Sequence, residues 1–540
     1  MNALNKKSLH LAVLAGLAAV GAAGTAEAVH VNPDGLGQVM IYPYYTARAG
    51  HFTAVSLINT TTSYKVVKVR FLEGKNSREV LDFNLFLSPS DVWTGAVVAT
   101  DNGARLISND NSCVTPSDLF TEARTDTLGL PLNAFKNYAY TGAAMPAEDN
   151  TTFKSLDRTR EGYFEVLEMG VIIPGTNATS ALVAGYMKHS AAGVPANCGA
   201  LDAYDGSTTN ATKFPNQIAG AIAANTILWA PTGGLAGRAS IINSATGANY
   251  TFSATAVDAW SNIPQYSAVG SLTPSLTSGT IPTTSSVFAS YAGVPGVISA
   301  DWLVPDDAIS AALIRNAIVN EFVLDAGTAS LTDWVVTFPT KAAYVQPEDT
   351  PVSPALVPFA LNFEHDGTKG SCDSYNASLY NREESAPPPT TLNPSPTPPG
   401  VGGANSVLCW EANVIAFGAS SLLGSTNTNP LDPIVAGSAA SSKTTPGSKT
   451  TPSLAGTQGP NGWMSMNFSL AGVQHLIPQA ARFAPLGSAA APTALTGANA
   501  IHHGLPVVGM MLHNYKSTGV VSLYGGVIDH KYSRLINATP

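Results

Sequence analysis

Residues Val31–Val98, VNPDGLGQVMIYPYYTARAGHFTAVSLINTTTSYKVVKVRFLEGKNSREVLDFNLFLSPSDVWTGAVV, decide the fold class. Val67, Val69 and Phe71 alternate with Lys68 and Arg70, and Leu81, Phe83, Leu85 and Leu87 alternate with Asp82 and Asn84. Period-2 runs of β-branched and aromatic residues, broken by Gly, Asn, Ser and Pro, specify half-buried antiparallel strands with the apolar set turned inward. About five such strands in so short a stretch predict an immunoglobulin-like antiparallel β-sandwich. The expectation for the whole chain is therefore mainly β.

The composition extends that reading. Gly 48 and Pro 37 favour many turns over long helices, and charged residues make up 12% of the 540, about half the usual ~25%. A formal net charge of −9 with no basic cluster speaks against nucleic acid as a partner. Length predicts two to three domains, which we draw at 29–150, 151–350 and 351–540. Residues 1–28 read as a signal peptide: Lys6 and Lys7 precede the apolar run Leu9–Ala23, and Ala26-Glu27-Ala28 supplies small residues for cleavage. No later run reaches the length of an apolar spanning helix, so no transmembrane segment is expected after cleavage. Export makes the four cysteines, Cys113, Cys198, Cys372 and Cys409, candidates for two disulfides. Sequence alone allows three connectivities; pairing neighbours within each region gives Cys113–Cys198 and Cys372–Cys409.

Outward from the opening stretch, Thr100–Cys113 is rich in turn residues. Asp101, Asn109, Asp110 and Asn111 offer oxygen ligands, but their spacing is not that of an EF-hand loop and suits Asx turns better. EGYFEVLEMGVII, from Glu161 to Ile173, is a strand on which Glu165 and Glu168 point to opposite faces, one solvated and one structural, rather than forming an acid/base pair. Gly237–Trp260 holds a hairpin turning at Ala245-Thr246-Gly247-Ala248, followed by a softer Ser/Thr/Pro-rich segment from Ser267 to Ser286. One notable amphipathic helix is expected over 306–324, capped by Asp306 and Asp307 and carrying Ile309, Leu313, Ala317 and Phe322 at helical spacing. Thr332–Val345 reads as a strand ending near Pro339. The Pro-rich stretch 386–404 and the Ser/Thr-rich tract 424–459, which contains SKTTP twice, read as exposed loops. Alternating strands return from Gly504 onward.

No catalytic motif is complete. Gly74-Lys75 lacks the rest of a P-loop, Gly418-Ala419-Ser420-Ser421 runs into Leu422 where an esterase elbow needs Gly, and H-E-x-x-H is missing. His502, His503, His513 and His530 and the cluster Glu364-His365-Asp366 supply metal-ligating groups, yet adjacent histidines on a strand face opposite ways. Neither a catalytic residue, a cofactor nor a metal site is assigned. Tyr42, Tyr44 and Tyr45, with Phe52, form a local aromatic cluster that reads first as core and sheet-rim packing and, on an exposed sheet face, as the candidate contact surface.

Taken as an ordered set, VNPDGLGQVMIYPYYT, VKVRFLEGKNSREVLDFNLFLSPSDVW, EGYFEVLEMG, TDWVVTFPTK and the closing GLPVVGMMLHNY and YGGVIDHKYSR resemble an uncharacterised family of secreted Gram-negative bacterial proteins, usually labelled hypothetical or cell-surface. The resemblance covers most of the mature chain. It implies export and one continuous architecture, and it brings no site residues. The resulting expectation is a non-enzymatic secreted or cell-surface protein, in the periplasm or beyond, with a structural or adhesive role and self-association through exposed strand edges. A carbohydrate- or polymer-binding surface protein is the alternative, and a secreted hydrolase with an unrecognised site the second alternative.

Overall fold

The computed structural model describes residues 28–121, 124–126, 129–141, 154–204, 227–345, 358–359, 363, 371–381, 406–417, 421–425, 449–450, 461–468, 474–487, 491–516 and 523–537. The protein is mainly β, with half of the described residues in strands, and nearly all of their strand pairing is antiparallel.

The first sheet has eight strands. Seven lie in the order His30–Val31, Thr255–Asp258, Val39–Thr46, Glu161–Ile172, Tyr64–Glu73, Glu79–Leu87 and Cys113–Thr115, and Leu228–Trp229 adds to the Glu161–Ile172 strand. The second has five, in the order Ala248–Ser253, Leu235–Asn243, His51–Asn59, Val92–Ala99 and Ala104–Ile107. Val67, Val69, Phe71, Phe83 and Leu85 of the first meet Val55, Leu57, Trp93, Val97 and Ile241 of the second in one core, with Phe83 and Trp93 5.7 Å apart. That is the sandwich the opening alternation requires.

A second pair of sheets continues the same core. One is ordered Ser406–Leu408, Asp373–Asn381, Asn461–Asn467, Ala317–Val323, Lys531–Ser533, and the other Lys449–Thr450, Ala412–Phe417, Thr332–Thr337, Val508–Lys516, Leu523–Asp529. Phe322 stacks on Phe417 at 5.2 Å between them, and Thr337 Oγ1 donates to Pro43 O at 2.6 Å, joining the pair to the first sandwich. A smaller sheet of Thr284–Tyr291, Val294–Asp301, Ala480–Pro485 and Thr493–Leu495 packs with the helix Pro305–Leu313 around Trp260, Ile298 and Trp302.

Three expectations need correction. The boundaries at 150 and 350 are crossed by strand pairing: Glu161–Ile172 lies between Val39–Thr46 and Tyr64–Glu73, and Ala317–Val323 pairs with Asn461–Asn467. Sequence distance is a poor guide here because the partners of a central strand come from both sides of it in the chain. The helix expected over 306–324 ends at Leu313, and Ala317–Val323 is a strand with Ile318, Asn320 and Phe322 buried and Glu321 exposed. Ile309, Leu313 and Ala317 satisfy a helical repeat, whereas the burial of Ile318, Asn320 and Phe322 alternates with the lesser burial of Val319 and Glu321, and cross-strand pairing decides the second half. Lys68 and Arg70, expected in solvent, are buried, as are Glu165 and Glu168 alike.

Both disulfides are present, Cys113–Cys198 and Cys372–Cys409. No helix among the described residues is long and apolar enough to cross a membrane. The stretch 1–27, the Pro-rich stretch 386–404, nearly all of the tract 424–459, and the cluster Glu364-His365-Asp366 lie outside the described residues.

Candidate binding cleft

The first sheet is covered on both faces. One carries the apolar core; the other carries charge. Arg70 is the cross-strand neighbour of Glu165 on one side and Asp82 on the other. Its Nε donates to Glu79 Oε2 at 2.6 Å and its Nη1 to Glu165 Oε1. One residue pair along, Lys68 Nζ meets Asp82 Oδ2 at 3.1 Å. The softer segment after Ser267 lies across this ladder: Gly270 N donates to Asp82 Oδ2 at 2.8 Å, Leu276 N to Glu165 Oε1 at 3.3 Å, and the Ser271 carbonyl accepts from Lys68. Buried charge is tolerated only when paired and hydrogen-bonded, and this ladder meets that condition with protein groups.

Beside it opens a cleft of about 730 Å³. Its floor holds Arg70, Glu79, Glu165 and Tyr163; its walls come from Asp126, Leu132 and Lys136 to Ala139, from the segment around Leu272, and from Pro339 to Ala343. Tyr138 (42% exposed) and Leu272 (66%) stand at its mouth. The Tyr138 hydroxyl donates to Asp126 Oδ2 at 2.6 Å, an oxygen also 2.7 Å from Lys136 Nζ. Burial and that carboxylate raise the Tyr138 phenol to about 12. On the floor, Tyr163 and Ser77 share a hydroxyl–hydroxyl contact at 2.7 Å. Desolvation raises the Glu79 carboxyl, with Asp82 adding to the rise and Arg70 opposing it.

The arrangement does not suit acid/base chemistry. Glu79 and Glu165 are tied to one guanidinium, which occupies the space a scissile bond needs between two carboxyls. What the cleft offers is fixed donors and acceptors beneath apolar and aromatic walls, the usual make-up of a small-ligand site.

The tyrosines singled out in the sequence are elsewhere and are no surface. Tyr42, Tyr44 and Tyr45 are at most 1% exposed. Tyr42 stacks on Phe164 at 4.0 Å and donates to Ser56 O; Tyr44 donates to Glu161 Oε2 at 2.6 Å; Tyr45 donates to Thr159 O. Their strand is central, so both its faces are covered and the hydroxyls must find internal acceptors. Asp110 spends its oxygens on the backbone of Ser112 and Thr94, in the Asx-turn manner. The histidines are dispersed. His503 sits opposite His475, His530 bonds Val335 O, and His513 lies over Gly526. His502 is wholly buried against Trp302, and that burial depresses it to about 3. Among the described residues no group of three or more His, Cys, Asp or Glu side chains could hold a metal ion.

Glu79, Tyr138 and Leu272 went unread in the sequence. A signal for the first existed: Lys68 and Arg70 on one arm of a hairpin oppose Glu79 and Asp82 on the other, and such sign complementarity marks charges that face each other. Tyr138 and Leu272 lie in irregular segments, where no periodicity reports exposure. The chain matches no protein-family model, no characterised protein and no solved structure.

Proposed function

We propose that the protein is an exported, non-enzymatic binding protein whose cleft takes a hydroxyl-rich ligand, a segment of a carbohydrate polymer. The carrying observation is the cleft itself: a floor whose charges are already neutralised, so that it favours hydroxyls over ions, under an exposed Tyr138 suited to a sugar face. Export is supported by the signal-like N-terminus together with two disulfides, which persist in oxidising compartments.

Binding is favoured over assembly by strand addition because four of the described sheet edges are guarded. Ala104–Ile107 is bridged by 133–135, with Leu106 N donating to Asn133 O at 3.0 Å. Val29 bridges His30–Val31 to the strand Thr284–Tyr291. The edges Ala248–Ser253 and Leu523–Asp529 abut each other at Gly525, where a Cβ would sit 2.5 Å from Asn249 O. Such covering is how β proteins suppress edge pairing.

A glycan array followed by calorimetry on the mature protein tests the reading. The expected result is saturable polysaccharide binding that falls about tenfold in Tyr138→Ala with an unchanged melting temperature. An absence of binding, or binding indifferent to Tyr138→Ala and to Leu272→Asp, overturns it. Turnover of the bound polymer overturns its non-enzymatic part.

A further inference from the structure

Six buried cations in this fold each meet a carboxylate: Arg48 with Glu161, Lys65 with Glu168, Lys68 with Asp82, Arg70 with Glu165, Arg158 with Glu73 and Lys341 with Asp373. Arg315 and the partly buried Arg534 are placed differently. Arg315 is 4% exposed, and its Nη1 donates only to main-chain oxygens, Ala312 O at 3.0 Å and Ile314 O at 2.8 Å. Arg534 Nη2 donates to the same Ala312 O at 2.8 Å, and its Nη1 reaches Phe288 O at 3.4 Å. The two guanidiniums thus converge on one oxygen. Between them lies Tyr532, its ring centroid 3.9 Å from the Arg315 guanidinium carbon and 5.2 Å from that of Arg534. Arg534 Nε is buried and meets no acceptor among the described residues. Neither arginine forms an ion pair with a described carboxylate, and Arg534 acts on Arg315 as a like charge.

Capping accounts for part of this. Ala312 lies in the last turn of the helix Pro305–Leu313, where orphan carbonyls and the helix dipole welcome a cation. One guanidinium satisfies that need. A helix terminus carries about half an elementary charge, so two full charges directed at one carbonyl remain largely uncompensated. The rim of the place is exposed: Tyr532 is 51% exposed, and Phe288, whose carbonyl accepts from Arg534, 54%.

We propose that Arg315 and Arg534, with Tyr532 at the rim, form a binding site for the oxyanion of a ligand, a carboxylate or a phosphate. Arg534 presents the unused Nε–H, the Tyr532 ring holds both guanidiniums in place by cation–π contact, and the incoming anion supplies the charge the pair lacks. This site is separate from the cleft and does not depend on what the cleft binds.

The test is thermal unfolding and calorimetry of the mature protein titrated with inorganic phosphate and, in a second arm, with acetate, each against chloride at matched ionic strength. The expected result is a saturable rise in melting temperature with at least one of them, the stronger arm naming the ligand's headgroup. Arg534→Gln should weaken that response about tenfold or more and Arg534→Lys less, while Arg482→Gln, at an exposed arginine on the smaller sheet, leaves it intact. Wild-type protein that responds to neither anion overturns the proposal, which keeps it falsifiable even where Arg534→Gln does not fold. A response that survives Arg534→Gln in folded protein also overturns it.

Discussion

Lys65 and Glu168 face each other across neighbouring strands, both fully buried, with Nζ 2.6 Å from Oε1. Thr232 N and Gly233 N also donate to that carboxylate, at 3.0 and 2.8 Å. Even so, burial leaves the Glu168 carboxyl above its ordinary value. Removing only the cation strands a charge in the interior, so Lys65→Met should cost about 3–5 kcal/mol by urea denaturation. Lys65→Met combined with Glu168→Gln should recover part of that loss, because no charge is left buried and the amide oxygen still accepts from one of the two backbone groups. Equal losses in the single and double variants would refute this account of the pair. Lys75 gives a pH-dependent counterpart. Burial, with Arg158 nearby, lowers it to about 7. Between that value and about 10.4, its ordinary pKa, the unfolded chain holds a proton the folded chain has released. Stability therefore rises as pH increases through this window. In Lys75→Met, melting temperature measured across it should lose that upward slope.

At the scale of elements, the helix Pro305–Leu313 begins with Pro305, Asp306 and Asp307. Acidic residues at a helix start ordinarily gain from the dipole. Here burial and the neighbouring Asp307 outweigh that gain and raise Asp306 to about 6. The folded state then binds the extra proton between about 3.9 and 6, and the stability this provides is lost as pH rises through that range. Asp306→Asn should be more stable than the parent at pH 7, by about 1 kcal/mol after allowance for solvent screening, with the gap closing near pH 4. Paired denaturation curves at the two pH values measure it. The same helix marks the limit of what could be read from sequence. Its start was legible to within two residues from Asp306 and Asp307, which stand in the first turn while Val304 holds the cap position without a side-chain cap bond; its end was not, because Ile318 and Phe322 fit a helical stripe as well as a strand. Strands were legible wherever one face was polar, as in His51–Asn59, whose burial alternates along nearly its whole length. They were misread where both faces are covered. The polar set of Tyr64–Glu73, Lys68 and Arg70, reads as outward by residue type, and only a layer from distant sequence, Ser267 to Thr273 for Lys68, puts it inside. The cleft stayed hidden for the same reason, since its walls come from five separated parts of the chain.

The whole molecule is organised by those distant layers. Val39–Thr46 pairs with residues 255–257 on one side and 161–167 on the other, and His51–Asn59 pairs with Leu235–Asn243. One core cluster runs from Met40 through Trp334 to Leu512. A fragment of residues 29–150 keeps every strand of the opening stretch yet loses Glu161–Ile172, the strand between Val39–Thr46 and Tyr64–Glu73, and with it the carboxylates of Glu161, Glu165 and Glu168. Arg48, Arg70 and Lys65 would then be buried without their partners or force the sheet open. The fragment 29–150 should accordingly show no dispersed amide spectrum and no cooperative melt. Residues 29–260 restore the missing strand, its three carboxylates and the second sheet's Leu235–Ser253 hairpin, and should recover strand circular dichroism and a measurable transition. A cooperative melt from 29–150 alone would mean that its five-strand pattern is self-sufficient and that the distant strands only decorate it. The continuous core and the buried ion pairs argue the other way: the charges on Tyr64–Glu73 are placed for carboxylates the chain delivers about a hundred residues later, as with Lys65 and Glu168, 103 apart.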